Sequence, residues 1–174
     1  MEEANVARCM NINTNTQWNV SGRETKKRQM YVSKCGRLIK KLMIPNKTNN
    51  KRFQNEVDIL NMIMRLKLPG LQQIVEYGME QDRPYIISIN HGSSIKKSNC
   101  PHDLHDQLQH INSSLEKLTQ YDMYHNDVLV RNFMVRSNTV TLIDFDLGTT
   151  NGPSSRTIRD YTFNTCERVL NTFL

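Results

Sequence analysis

The chain has 174 residues, 37% of them hydrophobic, so it can bury a core and a globally disordered chain is excluded. It contains no run of 18 apolar residues, which excludes a membrane-spanning helix, and its first twenty residues lack the apolar stretch of a signal peptide. The net charge of +6 is uneven: residues 1–70 carry 14 Lys and Arg against 5 Asp and Glu, whereas residues 71–174 carry 9 against 12. This asymmetry predicts two regions with different ligands.

The first ninety residues have the pattern of strands interrupted by one helix. The strand-like runs are residues 29–33, 37–44, 74–77 and 85–89. A turn containing Gly36 separates the first two runs, which is typical of a hairpin. Residues 50–66 predict a helix that ends before Pro69, because apolar residues recur at intervals of three and four. The apolar residues that define this helix face are Phe53, Val57, Leu60 and Met64.

After Asn90 the pattern predicts a helix, a small hairpin and a final helix. Residues 101–118 have apolar positions at intervals of four and three, and residues 157–174 show similar helical spacing. Short extended runs at 132–135 and 140–143 predict the hairpin. The sequence therefore predicts an α+β fold in two lobes, residues 1–90 and residues 91–174, with a cleft near Asn90.

Three polar side chains flank the predicted small hairpin. Asp127 and Asn132 lie five residues apart in the loop before its first strand, and Asp144 ends its second strand. Their positions let the three side chains converge at one end of the hairpin. An acid that orients a hydroxyl group, with an amide and a carboxylate that hold Mg²⁺, is what phosphoryl transfer requires.

Residues 125–132, HNDVLVRN, followed by Asp144-Phe145-Asp146, resemble the catalytic loop and the magnesium-binding motif of the protein kinases. The resemblance covers roughly residues 18–174. It implies a two-lobed protein-kinase-like fold with a truncated C-terminal lobe, which binds ATP with Mg²⁺ or Mn²⁺ as cofactors. It also implies that Asp127 orients the acceptor hydroxyl, that Asn132 and Asp144 bind the metal ion, and that His125 is a packed structural histidine.

The resemblance extends to residues outside this segment. It implies that Lys40 holds the α- and β-phosphates of the nucleotide and pairs with Glu56 of the first helix. Its rival, Lys41, points to the opposite face of the same strand, and Lys40 is preferred because two apolar residues precede it. The further residues that the resemblance implies are Ser88, Ile89 and Asn90 against the adenine, and Asp160 as support for the catalytic loop.

The sequence also departs from the kinase pattern. The glycine-rich loop is absent, with Gly22 alone between the presumed first two strands. Asn126 replaces the usual arginine of the loop, Asp146 replaces the glycine of D-F-G, and no A-P-E motif follows. These departures favour an alternative function, a catalytically weak pseudokinase that acts as a binding or regulatory module.

Retention of candidates for the lysine, the catalytic aspartate and the magnesium aspartate favours an active enzyme. The first expectation is a minimal serine/threonine protein kinase, by analogy with the commonest activity of the family. A third interpretation is a small-molecule phosphotransferase, which is disfavoured because the chain lacks the large helical insert that binds the acceptor in those enzymes.

The expected partners are ATP and either a protein substrate or a regulatory protein. The basic first half would suit nucleic acid, but a nucleic-acid-binding domain leaves Asp127, Asn132 and Asp144 unexplained. We expect no membrane partner and an intracellular location, cytoplasmic or nuclear. The four cysteines, which form no C-x-x-C pair and argue against a disulfide framework or a zinc finger, are Cys9, Cys35, Cys100 and Cys166.

Overall fold

The computed structural model describes residues 16–21, 25, 28–152, 169 and 171–172. Gly22, Asp160 and most of the predicted final helix lie outside the described residues. The described part is an α+β structure with two α-helices and two antiparallel sheets. The chain divides into two compact units, one formed by Ile74–Asn90 with the residues before 51, and the other by Lys51–Gln73 with the residues from 91 onward.

The first unit is built on a five-stranded antiparallel sheet, in the order β1-β2-β3-β5-β4. Its strands are β1 Trp18–Val20, β2 Arg28–Ser33, β3 Leu38–Met43, β4 Ile74–Glu80 and β5 Arg83–Ile89. The predicted hairpin between β2 and β3 is present, and Gly36 adopts the left-handed conformation (φ +69°) that its tight turn requires. The central position of β3 and β5 explains why their side chains are mostly buried.

Helix α1 spans Lys47–Leu66 and begins three residues earlier than the apolar spacing predicts. The side chain of Asn46 explains this difference, because its Oδ1 accepts the backbone N–H of Asn49 at 2.9 Å and caps the first turn. The helix ends at Leu66, and the next residue, Lys67, adopts a positive φ of 51° immediately before Leu68 and Pro69. Among the described residues no helix is long and apolar enough to cross a membrane.

The second unit contains helix α2, Leu104–Thr119, and a three-stranded sheet of β6 Ser93–Ser94, β7 Phe133–Arg136 and β8 Thr139–Leu142. The β7–β8 hairpin turns through Ser137 and Asn138, both with positive φ, which suits the right-handed twist of the strands. Gln107 of α2 ties this hairpin down: its Nε2 donates to the Asn138 carbonyl at 2.9 Å, and its Oε1 accepts the Val140 N–H at 2.6 Å.

The segment that follows α1 runs beside β8. The N–H of Leu142 donates to the Gly70 carbonyl, and the N–H of Gln72 donates to the Leu142 carbonyl, both at 2.9 Å. Gly70 has a φ of +71°, and a Cβ there would lie 2.4 Å from the side chain of Ile111. The close approach of α2 therefore requires glycine at this position. The backbone bonds to Leu142 hold the end of β8, from which residue 144 extends.

Candidate functional site

His125 lies at the centre of the loop that precedes β7 and is fully buried. Its Nε2 donates to the Ile143 carbonyl at 3.0 Å, and its Nδ1 accepts the Asp127 N–H at 3.2 Å. Both bonds require the neutral ring with its proton on Nε2. Burial lowers the pKa of His125 below its ordinary value, although the Ile143 bond and the nearby carboxylates oppose this effect. One uncharged imidazole therefore joins the loop to the residue before Asp144.

The ring of His125 also packs against Phe145, which is fully buried, with ring centroids 4.3 Å apart. Phe145 is the residue between Asp144 and Asp146, and this contact holds its ring in the core of the second unit. The same histidine thus fixes the segment on both sides of Asp144.

The carboxylate of Asp127 is held by two side chains of its own loop. Arg131 Nη2 donates to Oδ2 at 2.8 Å and to Oδ1 at 3.1 Å, and Asn132 Nδ2 donates to Oδ2 at 3.0 Å. Asn132 Nδ2 also donates to the backbone carbonyl of Asp127 at 2.7 Å. The arginine side chain is 65% exposed, whereas that of Asp127 is 9% exposed, so the carboxylate lies at the edge of the buried cluster. Charge-assisted bonds of this kind are short and directional, so they fix the direction of the carboxylate.

Asn132 and Asp144 belong to neighbouring ends of the β7–β8 hairpin. The N–H of Ile143 donates to the Asn132 carbonyl at 2.9 Å, and Asp144 is the next residue. The structure therefore brings the loop of Asp127 and Asn132 to the chain segment that carries Asp144. Asp144 adopts a left-handed conformation (φ 70°, ψ 67°), and its N–H donates to Oε1 of Gln72 at 2.8 Å.

Asn126 links the loop to the chain after Asp146. It has a positive φ of 63°, and its Nδ2 donates to the Leu147 carbonyl at 3.0 Å and to Thr149 Oγ1 at 3.1 Å. Two backbone hydrogen bonds between Tyr124 and Thr149, each 3.0 Å, extend this connection. A neutral amide therefore makes a fixed structural link between the loop and the residues after Asp146.

The residues near Asp144 fit a hydrated magnesium ion better than a closed metal cage. Within the described ranges no group of three or more His, Cys, Asp and Glu side chains is placed to hold a metal ion. Asn132 directs its Nδ2 to Asp127, so its Oδ1 is the amide atom that can act as a ligand. One amide and one carboxylate suit Mg²⁺, which keeps several waters and takes phosphate oxygens as further ligands.

Lys40 lies on the face of the first unit's sheet that carries aromatic residues. Its Nζ donates to Glu80 Oε1 at 2.7 Å and lies 5.8 Å from the ring centroid of Trp18 and 5.0 Å from that of Tyr85. The hydroxyl of Tyr85 donates to Glu76, and this bond together with burial raises the pKa of Tyr85 to about 12. The charge of Lys40 is thus balanced within its own sheet.

Lys41 is also buried, and strand alternation places it on the opposite face of β3 from Lys40. Glu56 of α1 is fully buried as well. A buried carboxylate or ammonium group needs a charged or hydrogen-bonding partner, so neither residue has the environment of a solvated surface charge.

Ser88, Ile89 and Asn90, which the sequence associates with the adenine, form the end of β5 and the residue after it. Ser88 is paired on both sides, with Ile39 of β3 and Ile74 of β4. The N–H of Asn90 donates to the Arg37 carbonyl at 2.7 Å, and its Nδ2 donates to the Gly36 carbonyl at 2.8 Å. The backbone of this segment is therefore anchored to the β2–β3 turn and to β3.

No protein-family model matches the chain, and the search of curated proteins gives no match.

Two contacts of the site have no strong sequence signal. Arg131 is visible only as a basic residue four positions after Asp127, and that spacing alone does not predict a bond in an irregular loop. Gln72 is 72 residues from Asp144, and only the pairing of residues 70–72 with Leu142 brings the two together. The topology, and not a local motif, creates this second contact.

Proposed function

We propose that this protein is an ATP- and magnesium-dependent phosphotransferase, a minimal serine/threonine protein kinase. The observation that carries the proposal is the arrangement around the β7–β8 hairpin. Asp127 and Asn132 are bonded to each other in the loop before β7, and the backbone bond between Ile143 and Asn132 sets Asp144 beside them. This set of side chains matches the needs of phosphoryl transfer, which depends on positioning and charge neutralisation.

In this proposal Asp127 accepts the proton of the acceptor hydroxyl while the hydroxyl oxygen bonds to the γ-phosphorus of ATP. The bond from that phosphorus to the bridging oxygen breaks, and ADP leaves with the electron pair. Asn132 and Asp144 hold Mg²⁺, which neutralises the phosphate charge. Arg131 keeps the Asp127 carboxylate in place, because its Nη2 lies within 3.1 Å of both carboxylate oxygens.

For the lysine that binds the nucleotide phosphates we favour Lys41 over Lys40. The ammonium of Lys40 is neutralised by Glu80 and lies beside the rings of Trp18 and Tyr85, so moving it to a phosphate would break an ion pair. Lys41 lies on the opposite face of β3 from this cluster.

A second candidate function is a nucleotide-binding module without turnover. The hydrogen bonds from Arg131 to Asp127 favour it, since they occupy both oxygens of the carboxylate that would receive the proton. Asp146 in place of the glycine of the D-F-G motif favours it as well.

The deciding experiment is phosphate transfer from γ-labelled ATP with Mg²⁺ or Mn²⁺, to the protein itself and to a generic basic protein. Asp144→Asn removes the charge of the metal ligand, and Asp106→Asn makes the same change at an exposed residue in the first turn of α2. Transfer by the wild type and by Asp106→Asn, with none by Asp144→Asn, supports the proposal.

Absence of transfer from the wild type, with ATP still protecting it from thermal unfolding, would replace the kinase by the binding module. Transfer that persists in Asp144→Asn would remove Asp144 from the metal site.

A further inference from the structure

Asp144 holds a backbone conformation that an L-residue does not adopt without support. Its φ of 70° and ψ of 67° lie in the left-handed region, which is unfavourable by roughly 1 kcal/mol for residues other than glycine, although aspartate tolerates it better than most. The direction of the Cα–Cβ bond depends on this conformation. Whatever fixes the backbone at residue 144 therefore fixes where its carboxylate points.

The side chain of Gln72 makes a direct contact with the backbone of residue 144 itself. Gln72 is 7% exposed, and its Oε1 accepts the N–H of Asp144 at 2.8 Å. Because an amide NH₂ group cannot accept a hydrogen bond, the bond determines which end of the glutamine faces Asp144. The bond also satisfies a backbone donor just beyond the end of β8.

The main chain around Gln72 is held independently of its side chain. The N–H of Gln72 donates to the Leu142 carbonyl, and the N–H of Leu142 donates to the Gly70 carbonyl. These two bonds attach the segment to β8 without using the carboxamide. The glutamine side chain is therefore available for a specific task, and the one bond that the structure shows for its Oε1 is to Asp144.

We infer that Gln72 is a positioning residue, which orients the Asp144 carboxylate for the metal–nucleotide complex by holding the N–H of Asp144. This inference depends on the proposed function, since it concerns the metal ligand of the same site. Gln72 acts through the backbone and does not itself contact the metal. Outer residues of this kind orient the ligands of a metal ion and strengthen its binding.

Three variants separate this role from ordinary packing. Gln72→Met keeps the length and volume of the side chain but removes the acceptor, whereas Gln72→Glu keeps an acceptor oxygen at the same reach. Gln73→Met is the matched control, because it replaces the adjacent glutamine, which is exposed, by the same residue. Each full-length variant is measured by hydrogen exchange of the Asp144 amide and by titration with Mn²⁺ and ADP.

We expect Gln72→Met to speed exchange at the Asp144 amide and to weaken Mn²⁺–ADP binding by about tenfold. Gln72→Glu retains the slow exchange, and Gln73→Met behaves as the wild type in both measurements. Unchanged exchange in Gln72→Met overturns the inference, and so does faster exchange with wild-type affinity. A wild-type protein that binds no Mn²⁺–ADP instead overturns the proposed function, and the metal role of Gln72 with it.

Discussion

At the scale of single residues, the position and the orientation of the Asp127 carboxylate together suit it to hold a substrate group. Its carboxylate lies at the edge of a buried cluster, yet Arg131 and Asn132 hold it in one direction. A group held in this way loses little entropy when it orients a substrate, which is an advantage for positioning. Arg131 contacts both carboxylate oxygens, so the loop offers an acidic side chain of fixed geometry.

Asp127→Asn tests this role because it preserves shape while removing the proton acceptor. We expect turnover to fall about 100-fold, with little change in the KM for MgATP, because Asp127 acts on the acceptor and not on the nucleotide. Steady-state kinetics with labelled ATP measures both quantities, and Asp106→Asn serves as the control for the lost charge. Equal turnover in Asp127→Asn and wild type would contradict the assigned role.

His91 makes stability depend on pH. Its Nε2 is buried without a hydrogen-bond partner among the described residues, and burial together with the charge of Arg136 lowers its pKa to about 4. The folded-state pKa lies below the unfolded value of 6.5, so the unfolded chain takes up the proton first as the pH falls. The stabilisation is present above pH 6.5 and is lost towards pH 4.

Between about pH 7.5 and pH 5 the free energy of unfolding should fall by about 2 kcal/mol through His91 alone. His91→Gln should remove that part of the dependence, whereas the exposed His105 gives a control variant, His105→Gln. Urea denaturation at the two pH values measures the difference. His125, whose pKa is also lowered, adds a dependence of the same sign, so a slope remains in His91→Gln. An undiminished slope in His91→Gln would contradict the assignment.

At the scale of secondary-structure elements, β3 carries two adjacent lysines with different surroundings. Lys41→Met should raise the Kd for MgATP by about 10-fold or more, since a hydrogen bond to a charged group contributes about 1.5–3 kcal/mol. Lys40→Met should leave that Kd unchanged and lower thermal stability, because it breaks the pair with Glu80. Calorimetric titration of both variants measures the effect. Loss of binding in Lys40→Met alone would assign the phosphate role to Lys40.

The link between α2 and the β7–β8 hairpin gives a second test at this scale. Gln107→Ala leaves the N–H of Val140 without its acceptor, so we expect the free energy of unfolding to fall by about 1–2 kcal/mol. Gln109→Ala changes an exposed residue two positions further along the same helix and should have little effect. Chemical denaturation compares them. Equal stability of the two variants would show that α2 does not hold the hairpin through this side chain.

At the scale of the whole molecule, periodicity was sufficient to predict most elements but not their exact ends. Apolar spacing predicts α1 from residue 50, whereas the Asn46 cap extends it to Lys47. The strands β4 and β5 are likewise longer than their apolar runs, because ladder pairing continues through Glu80 and Arg83, where the side chains are polar. Polar ends of elements are fixed by caps and pairing, which hydrophobic periodicity does not report.

The residues of the candidate site could likewise be predicted only in part from the sequence. The spacing of Asp127, Asn132 and Asp144 along the chain is sufficient to single these residues out. The contact of Gln72 with Asp144 could not be predicted, because it depends on a parallel bridge between Leu71 and Leu142. Strand alternation by itself does not identify which of Lys40 and Lys41 faces a ligand. That identification requires the positions of the neighbouring strands.

The imidazole of His125 touches both halves of the site, with one nitrogen bonded to the Asp127 N–H and the other to the Ile143 carbonyl. A single ¹⁵N-labelled histidine is consequently a spectroscopic reporter of the loop and of the strand end together. Its two ring nitrogens give separate resonances for the donor and the acceptor position. Movement of either segment would change these resonances without any probe attached to the protein.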